Sequence, residues 1–476
     1  MFRGGLLTEG KPAGLIGLRL GLLALCLMGA SCGEPRPNPA APPPAAEVPE
    51  PSAVAESEEP EGGRGSWKRG MDEEGAKHIG RWKARRRPAR DGDEEIEALV
   101  AMGYADGSTE APDRTGLLSY DVERASKGVN LYVSGQGPEA HLIDMNGEIL
   151  HKWAFSFFDQ WPGHKVRKGG EFPDHWRRAW LGPEGDLIVI WGGMGIARLD
   201  RDSKPIWAYK GAIHHDLEVL PDGSLWTLIR EGERIDQLNA KRRVVMDSIV
   251  LLSDKGEVLR THSVYDLVAA SPFAALIRRW ADGGDILHIN TIAVLDGSCE
   301  EKNPAFKKGN LLISSRRTDT LLIVDMNAEK VVWALSGQWH AQHEPVLLDN
   351  CNVLLFDNRG MGKRSRVIEI DPLTQQRVWA YGEEKGQTFY SQVLGSVSRL
   401  PNGNTLITES DHGRAFEVTA SGDVVWDFVN PFIAGPNGEY VASIYELVRL
   451  APDTPLDWAD PTTASLTVDM TRAVGR

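Results

Sequence analysis

LLIVDMNAEKVVW, residues 321–333, decides the fold. It reads as an apolar strand, a turn opened by Asp, and a second strand closed by Trp. The phrase recurs as AHLIDMNGEILHKW at 140–153, GIARLDRDSKPIW at 195–207, RVIEIDPLTQQRVW at 366–379 and RAFEVTASGDVVW at 414–426. The closing residues Trp153, Trp207, Trp333, Trp379 and Trp426 are 54, 126, 46 and 47 residues apart. The long step holds a sixth copy without the Trp, IVLLSDKGEVLRTH at 249–262. A second phrase precedes the first: LGPEGDLIVIW, LPDGSLWTLI, the split pair VLDG and GNLLISSR, LLDNCNVLLF and LPNGNTLITE. Gly, Asn and Asp turns between short apolar runs are hairpin signals. Four short strands in each repeat of about 40–50 residues is the signature of a propeller blade.

The expected fold is therefore all-β: a six-bladed β-propeller of four-stranded antiparallel blades over residues 116–455. The first repeat, GVNLYVSG then AHLID, lacks its leading strand, and SIYELVRLAPD at 443–453 has the missing pattern. A C-terminal strand completing the N-terminal blade closes the ring and removes a bare sheet edge. A β-sandwich is the rival architecture, and the regular sixfold spacing argues against it.

The rest of the chain fits an exported protein. Among its 476 residues are 50 Gly and 28 Pro, and the net charge of −14 does not suggest a nucleic-acid groove. The 15 Trp mostly recur at blade positions and read as packing residues. Residues 1–32 form a signal segment: Arg3, Lys11 and Arg19, then an uncharged apolar stretch at 20–30, too short to span a membrane. Small residues before Cys32 resemble a bacterial lipoprotein signal, so Cys32 is a lipidation candidate that would tether the protein to a periplasmic or outer-envelope membrane surface. An ordinary cleaved signal peptide is the other reading. Residues 33–92 are a Pro/Ala/Glu-rich and then basic spacer with nothing to bury. In the segment 93–115, residues 93–104 read as one short amphipathic helix, and residues 456–476 are a C-terminal tail. Cys299 and Cys351 follow the first strands of adjacent blades; in an exported protein such a pair is a disulfide candidate, with two free thiols as the alternative.

Three histidines carry the chemistry. His215 in HHDLEVLPDG, His288 in HINTIAVLDG and His343 in HEPVLLDNCN each head an apolar run just before a turn, in three successive repeats. Equivalent strand heads converge on a propeller axis, so three imidazoles from distant sequence are expected in one pocket. His214 competes with His215 for the inward position, and the shared pattern of His-acidic-apolar favours His215. His288 and Asn290, two apart on one strand, are expected to face the same side. Arg316 competes with Arg317. Tyr390, before the last blade, could stack on a flat ligand or merely pack in its loop. Trp176, Arg177 and Arg178 head the strand of the second blade and are candidates to line the same mouth.

The motifs HHD at 214–216, DILHIN at 285–290, SSR at 314–316, QHE at 342–344 and LLFDN at 354–358 resemble the bacterial arylsulfate sulfotransferase family. The similarity covers most of the repeats. The family generally has Asp where this chain has Glu344, and a short turn where this chain has GSCEEKNPAFKKG at 297–309. The resemblance implies a six-bladed propeller working outside the cytoplasm on small-molecule aryl sulfate and phenol substrates. The sulfuryl group would pass by ping-pong through a sulfated histidine, which the motif places at His343. It also implies a role for Arg316 in holding sulfuryl oxygens, with His288, Asn290 and His215 beside it. No cofactor, metal or nucleotide sulfate donor is expected, in keeping with the lack of a phosphate-cradling Gly-rich loop. Competing readings are a non-catalytic propeller that binds a glycan, peptide or protein, a quinone-dependent dehydrogenase, and a hydrolase with a metal on the three histidines.

Overall fold

The computed structural model describes residues 108–166, 173–235, 238, 243–278, 284–434 and 438–459. The chain divides into two units at Gly65 and Ser66. The first unit, with the signal segment and Cys32, lies outside the described residues, as do the spacer and the helix expected at 93–104.

Six sheets carry the six expected repeats, each with four antiparallel strands of the blade. From the innermost strand outward, blade one is Ile444–Leu450, Val129–Ser134, Glu139–Ile143 and Ile149–Ala154. The innermost strands of blades two to six are Arg178–Leu181, Ile213–Val219, Ile289–Val294, His343–Leu347 and Ser396–Arg399. The strand from the C-terminal end pairs antiparallel with the second strand of blade one, Ile444 opposite Ser134 and Leu450 opposite Val129, as the missing-strand argument requires. The sequence did not reveal a second seam. Gly116–Tyr120 adds a fifth strand outside Val424–Val429 of blade six. Ser108–Glu110, Tyr440–Ala442 and Ile433–Ala434 form a small separate sheet.

The recurring residue types have local causes. Each Asp of the repeat folds its turn: the Oδ1 of Asp144 accepts from the backbone N–H groups of Asn146 and Glu148, and that of Asp200 from Asp202 and Lys204. Three of the five closing Trp tie their blade to the next by a hydrogen bond. The indole N–H of Trp153 donates to the Gly185 carbonyl at 3.0 Å, that of Trp379 to Ala420 at 3.0 Å and that of Trp426 to Met145 at 2.9 Å. Trp207 instead lies on the turn of blade three, where a Cβ on Gly256 would meet its ring at 2.5 Å. Second strands such as Leu187–Trp191 and Val353–Asp357 are buried at every position because blades stack on both of their faces.

Cys299 and Cys351 form a disulfide between blades four and five, spanning 52 residues. The insertion that carries Cys299 is anchored by Phe306, packed edge-on against Trp333. Closing a loop of that length restricts the unfolded chain, so Cys299→Ser with Cys351→Ser should cost roughly 3–4 kcal/mol. Urea denaturation of the oxidised protein and the double variant measures this, and a loss under 1 kcal/mol would contradict it.

Candidate active site

The heads of the innermost strands are irregular where the histidines stand. The ladder register breaks between His214 and Leu217 in blade three, Ile289 and Thr291 in blade four, and His343 and Val346 in blade five. Such bulges bend a strand and re-aim its side chains. His215, His288 and Glu344 adopt left-handed backbone, with φ of 56°, 54° and 48°. Strain of this kind costs about 1–3 kcal/mol per residue and is held only where the surroundings enforce it. It falls in all three histidine motifs.

The bulges gather imidazoles and guanidinia. The Nδ1 atoms of His214 and His215 are 2.6 Å apart, so one ring donates to the other, and both histidines belong to the site. His215 meets His288 edge-to-face with centroids 5.2 Å apart. His288 Nδ1 lies 2.7 Å from Asp285 Oδ2, which only accepts, and 2.9 Å from Arg230 Nη2, which only donates, so the ring is bracketed by a buried ion pair. Arg230, fully buried, ion-pairs with Asp285 and reaches His288 and Asp247. The Arg316 backbone N–H donates to the His288 carbonyl at 3.1 Å, which sets Arg316 at the same strand head. Burial, reinforced by Arg230, lowers His288 to about 3. Burial raises Asp285, but Arg230 and His288 outweigh it and hold the carboxylate below its usual range. Burial lifts Asp247 to about 7.

His343 is held in one tautomer. Its Nδ1 lies 2.7 Å from Asn358 Oδ1. The Asn358 amide N–H₂ is committed to the carbonyls of Ser391 at 2.9 Å and Leu394 at 2.7 Å, so its oxygen must accept. Nδ1 therefore carries the proton and Nε2 has a free lone pair. Burial, then Arg316, holds His343 well below the usual imidazole value. Asn358→Leu should slow reaction at this ring about 10- to 100-fold, as loss of an orienting partner does elsewhere. A single-turnover rate within twofold of the wild type would contradict the tautomer assignment.

Asn290 sits in the bulge between Ile289 and Thr291, where the register breaks, so period-two alternation does not by itself relate it to His288. The Asn290 amide donates to the Gln342 carbonyl at 2.8 Å and braces the residue before His343. Tyr390 stands at blade six, with its backbone N–H on Glu409, which also holds His412. Trp176 is buried in the core between blades one and two. Arg317 lies 3.7 Å from Asp285.

One layer further along the channel, Arg178 binds three carboxylates: Asp216 at 2.7 Å, Glu344 at 2.7 Å and Glu446 at 2.7 Å. Asp216 and Glu344 are the residues that follow His215 and His343. Burial raises Asp216 to about 6 and Glu446 to about 7, with Arg178 opposing it in both. Beyond this ionic layer a cavity of about 350 Å³ runs toward Leu295 and Asp349.

Arg230, Asp285, Asp247 and Asn358 were not singled out from the sequence, although the repeat contains the signal. Gly223, Gly309 and Cys351 occupy the same turn with φ of 83°, 84° and 61°, and seven residues after each stand Arg230, Arg316 and Asn358.

Residues 180–431 match the arylsulfotransferase (ASST) family, more than half of the 476-residue chain. The chain belongs to the arylsulfotransferase family. No curated protein matches it. Among solved structures it is similar to a protein of unknown function from Bacteroides caccae, at 15% identity over 63% of this chain and 94% of that one, TM-score 0.41. It is also similar to a streptogramin B lyase, at 11% identity over 74% and 99%, TM-score 0.36. A catalytically inactive virginiamycin B lyase from Staphylococcus aureus with quinupristin gives 9% identity over 70% and 98%, TM-score 0.36. All the motifs from HHD to LLFDN fall inside the family match.

Proposed function

We propose that the protein moves a sulfuryl group from an aryl sulfate to a phenol, with His343 as the covalent carrier. The observation that supports this most directly is the free Nε2 lone pair of His343, fixed by Asn358 amid buried histidines and arginines. Nε2 attacks sulfur as the S–O bond to the donor breaks and the electron pair leaves on the phenolate oxygen. The acceptor phenol then loses its proton to a neutral imidazole, and its oxygen attacks sulfur as the N–S bond breaks. His288 suits the proton-accepting role, since burial and Arg230 keep its ring neutral and the Asp285 carboxylate stands 2.7 Å from Nδ1 to hold the imidazolium that forms. His215 is the alternative shuttle. Arg316 offers N–H groups to the sulfuryl oxygens where charge gathers.

The pH dependence follows from the sign of the shifts. His343 and His288 lie below the ordinary imidazole value of 6.5, so the reactive neutral form already dominates under mildly acidic conditions. The value of kcat/KM should stay level as pH falls from about 8 to about 5.5, without an acidic limb near the ordinary histidine value. A limb centred at 6.5 would contradict it.

The reaction itself is tested with a chromogenic aryl sulfate, with and without a phenol acceptor. Release of phenolate that depends on the acceptor is expected, and equal release without it would indicate hydrolysis. We also infer an envelope location with Cys32 as lipid anchor, which mass analysis of the mature N-terminus tests.

A further inference from the structure

Arg177 occupies the place in blade two that the histidines occupy in blades three and five. Counting back eight residues from the left-handed turn residue gives His215 from Gly223, His343 from Cys351 and Arg177 from Gly185. The neighbouring layer verifies the equivalence, because Arg178 pairs with Asp216 and Glu344, the residues next to those same histidines. Blade one contributes Tyr445 at this level, next to Glu446, and the Arg177 guanidinium lies 5.9 Å from the Tyr445 ring centroid.

Arg177 is 4% exposed, and among the described residues its side chain makes no hydrogen bond or ion pair. Its Nε is buried without a partner. Arg178, one residue on, has three carboxylates. A buried guanidinium stays charged and carries five donors. Left without an anion it is costly, and folds normally neutralise such a charge or reserve it for a ligand. Its charge also acts on His214, His215 and His343, lowering all three, so it stands within electrostatic reach of the carrier ring.

We propose that Arg177 is a sulfuryl-binding residue that donates to the oxygens of a sulfate monoester from the blade-two side, while Arg316 donates from blade four. This rests on the sulfuryl-transfer reading above. A sulfate group has three non-bridging oxygens, and a second planar fork can engage those that Arg316 leaves open. The ring that forms the covalent bond then lies within electrostatic reach of two fixed cations.

The test uses the full chain and inorganic sulfate as probe, by calorimetry and by thermal unfolding. Wild type should bind sulfate and melt at a higher temperature when it is added. Arg177→Gln should weaken sulfate binding at least tenfold, raise KM for an aryl sulfate at least tenfold, and melt no lower than wild type in sulfate-free buffer. Arg177→Lys, which keeps the charge and loses the fork, should fall between the two. Sulfate affinity within twofold of wild type in Arg177→Gln would overturn the proposal. So would a loss of folding in both variants, which would make Arg177 structural, or a wild type that binds no sulfate. An effect confined to aryl sulfates that carry a carboxylate would overturn it too, by moving the contact to the ring substituent. Sulfate binding that depends on Arg177 without any transfer activity would leave this assignment standing and remove the transferase reading.

Discussion

His343→Ala should abolish sulfuryl transfer and, with it, any covalent adduct. After brief mixing with an aryl sulfate and no acceptor, intact-mass analysis should show the wild type heavier by one sulfuryl group. The variant should show no gain. The effect is expected to be total because removing the nucleophile removes the intermediate, whereas removing a donor leaves the route open. Arg316→Ala is therefore expected to slow the same step by about a hundredfold to a thousandfold, the usual result of deleting one oxyanion donor. The adduct should be acid-labile, as an N–S bond to an imidazole is. An adduct that persists in His343→Ala would move the chemistry to another group, with His215 and His288 the first candidates.

The second large effect concerns stability. Arg178→Met should destabilise the fold by about 3–5 kcal/mol near pH 8, because it strands Asp216, Glu344 and Glu446 without their shared cation. The sign of the pH dependence is fixed by the direction of the shifts. Asp216 and Glu446 titrate higher in the fold than in the unfolded chain, at about 6 and about 7. The folded state thus holds protons that the unfolded state releases, and stability falls as pH rises from about 4 to about 7. Removing Arg178 raises both groups further and widens that window. Urea denaturation should show the largest loss at pH 8 and a smaller one at pH 5. Adding Asp216→Asn and Glu446→Gln should recover part of it. An equal loss at both pH values would contradict the ionic account.

The blades were legible because their cause is repetitive: an Asp that folds a turn and a Trp that reaches the next blade recur at fixed spacing. The closing strand was legible because one repeat lacked a piece and the far end of the chain supplied its pattern. Gly116–Tyr120 was not, since a fifth outer strand completes no repeat. The histidines stood out as heads of apolar runs. Arg230 and Asn358 were hidden because they stand toward or just past the far ends of second strands, which meet the histidine-bearing heads only in the folded blade. Asn290 was placed by an alternation that the bulge between Ile289 and Thr291 interrupts, so spacing alone could not say which way it faces. Arg178 was a candidate for the mouth by its place at a strand head, but its carboxylate partners are invisible until the fold brings three acidic side chains from three blades around it.

The two seams of the ring set the order in which the molecule can be finished. Synthesis delivers His215, His288, Arg316 and His343 well before residues 444–450, yet blade one has no innermost strand until those last residues emerge. Glu446, one of the three anions on Arg178, arrives with them. A ribosome that stops at residue 442 would release a chain with every histidine of the pocket present, an open sheet edge along Val129–Ser134, and a central cation short of one partner. A stop before residue 444 therefore leaves the ring open at blade one, however much of the pocket precedes it.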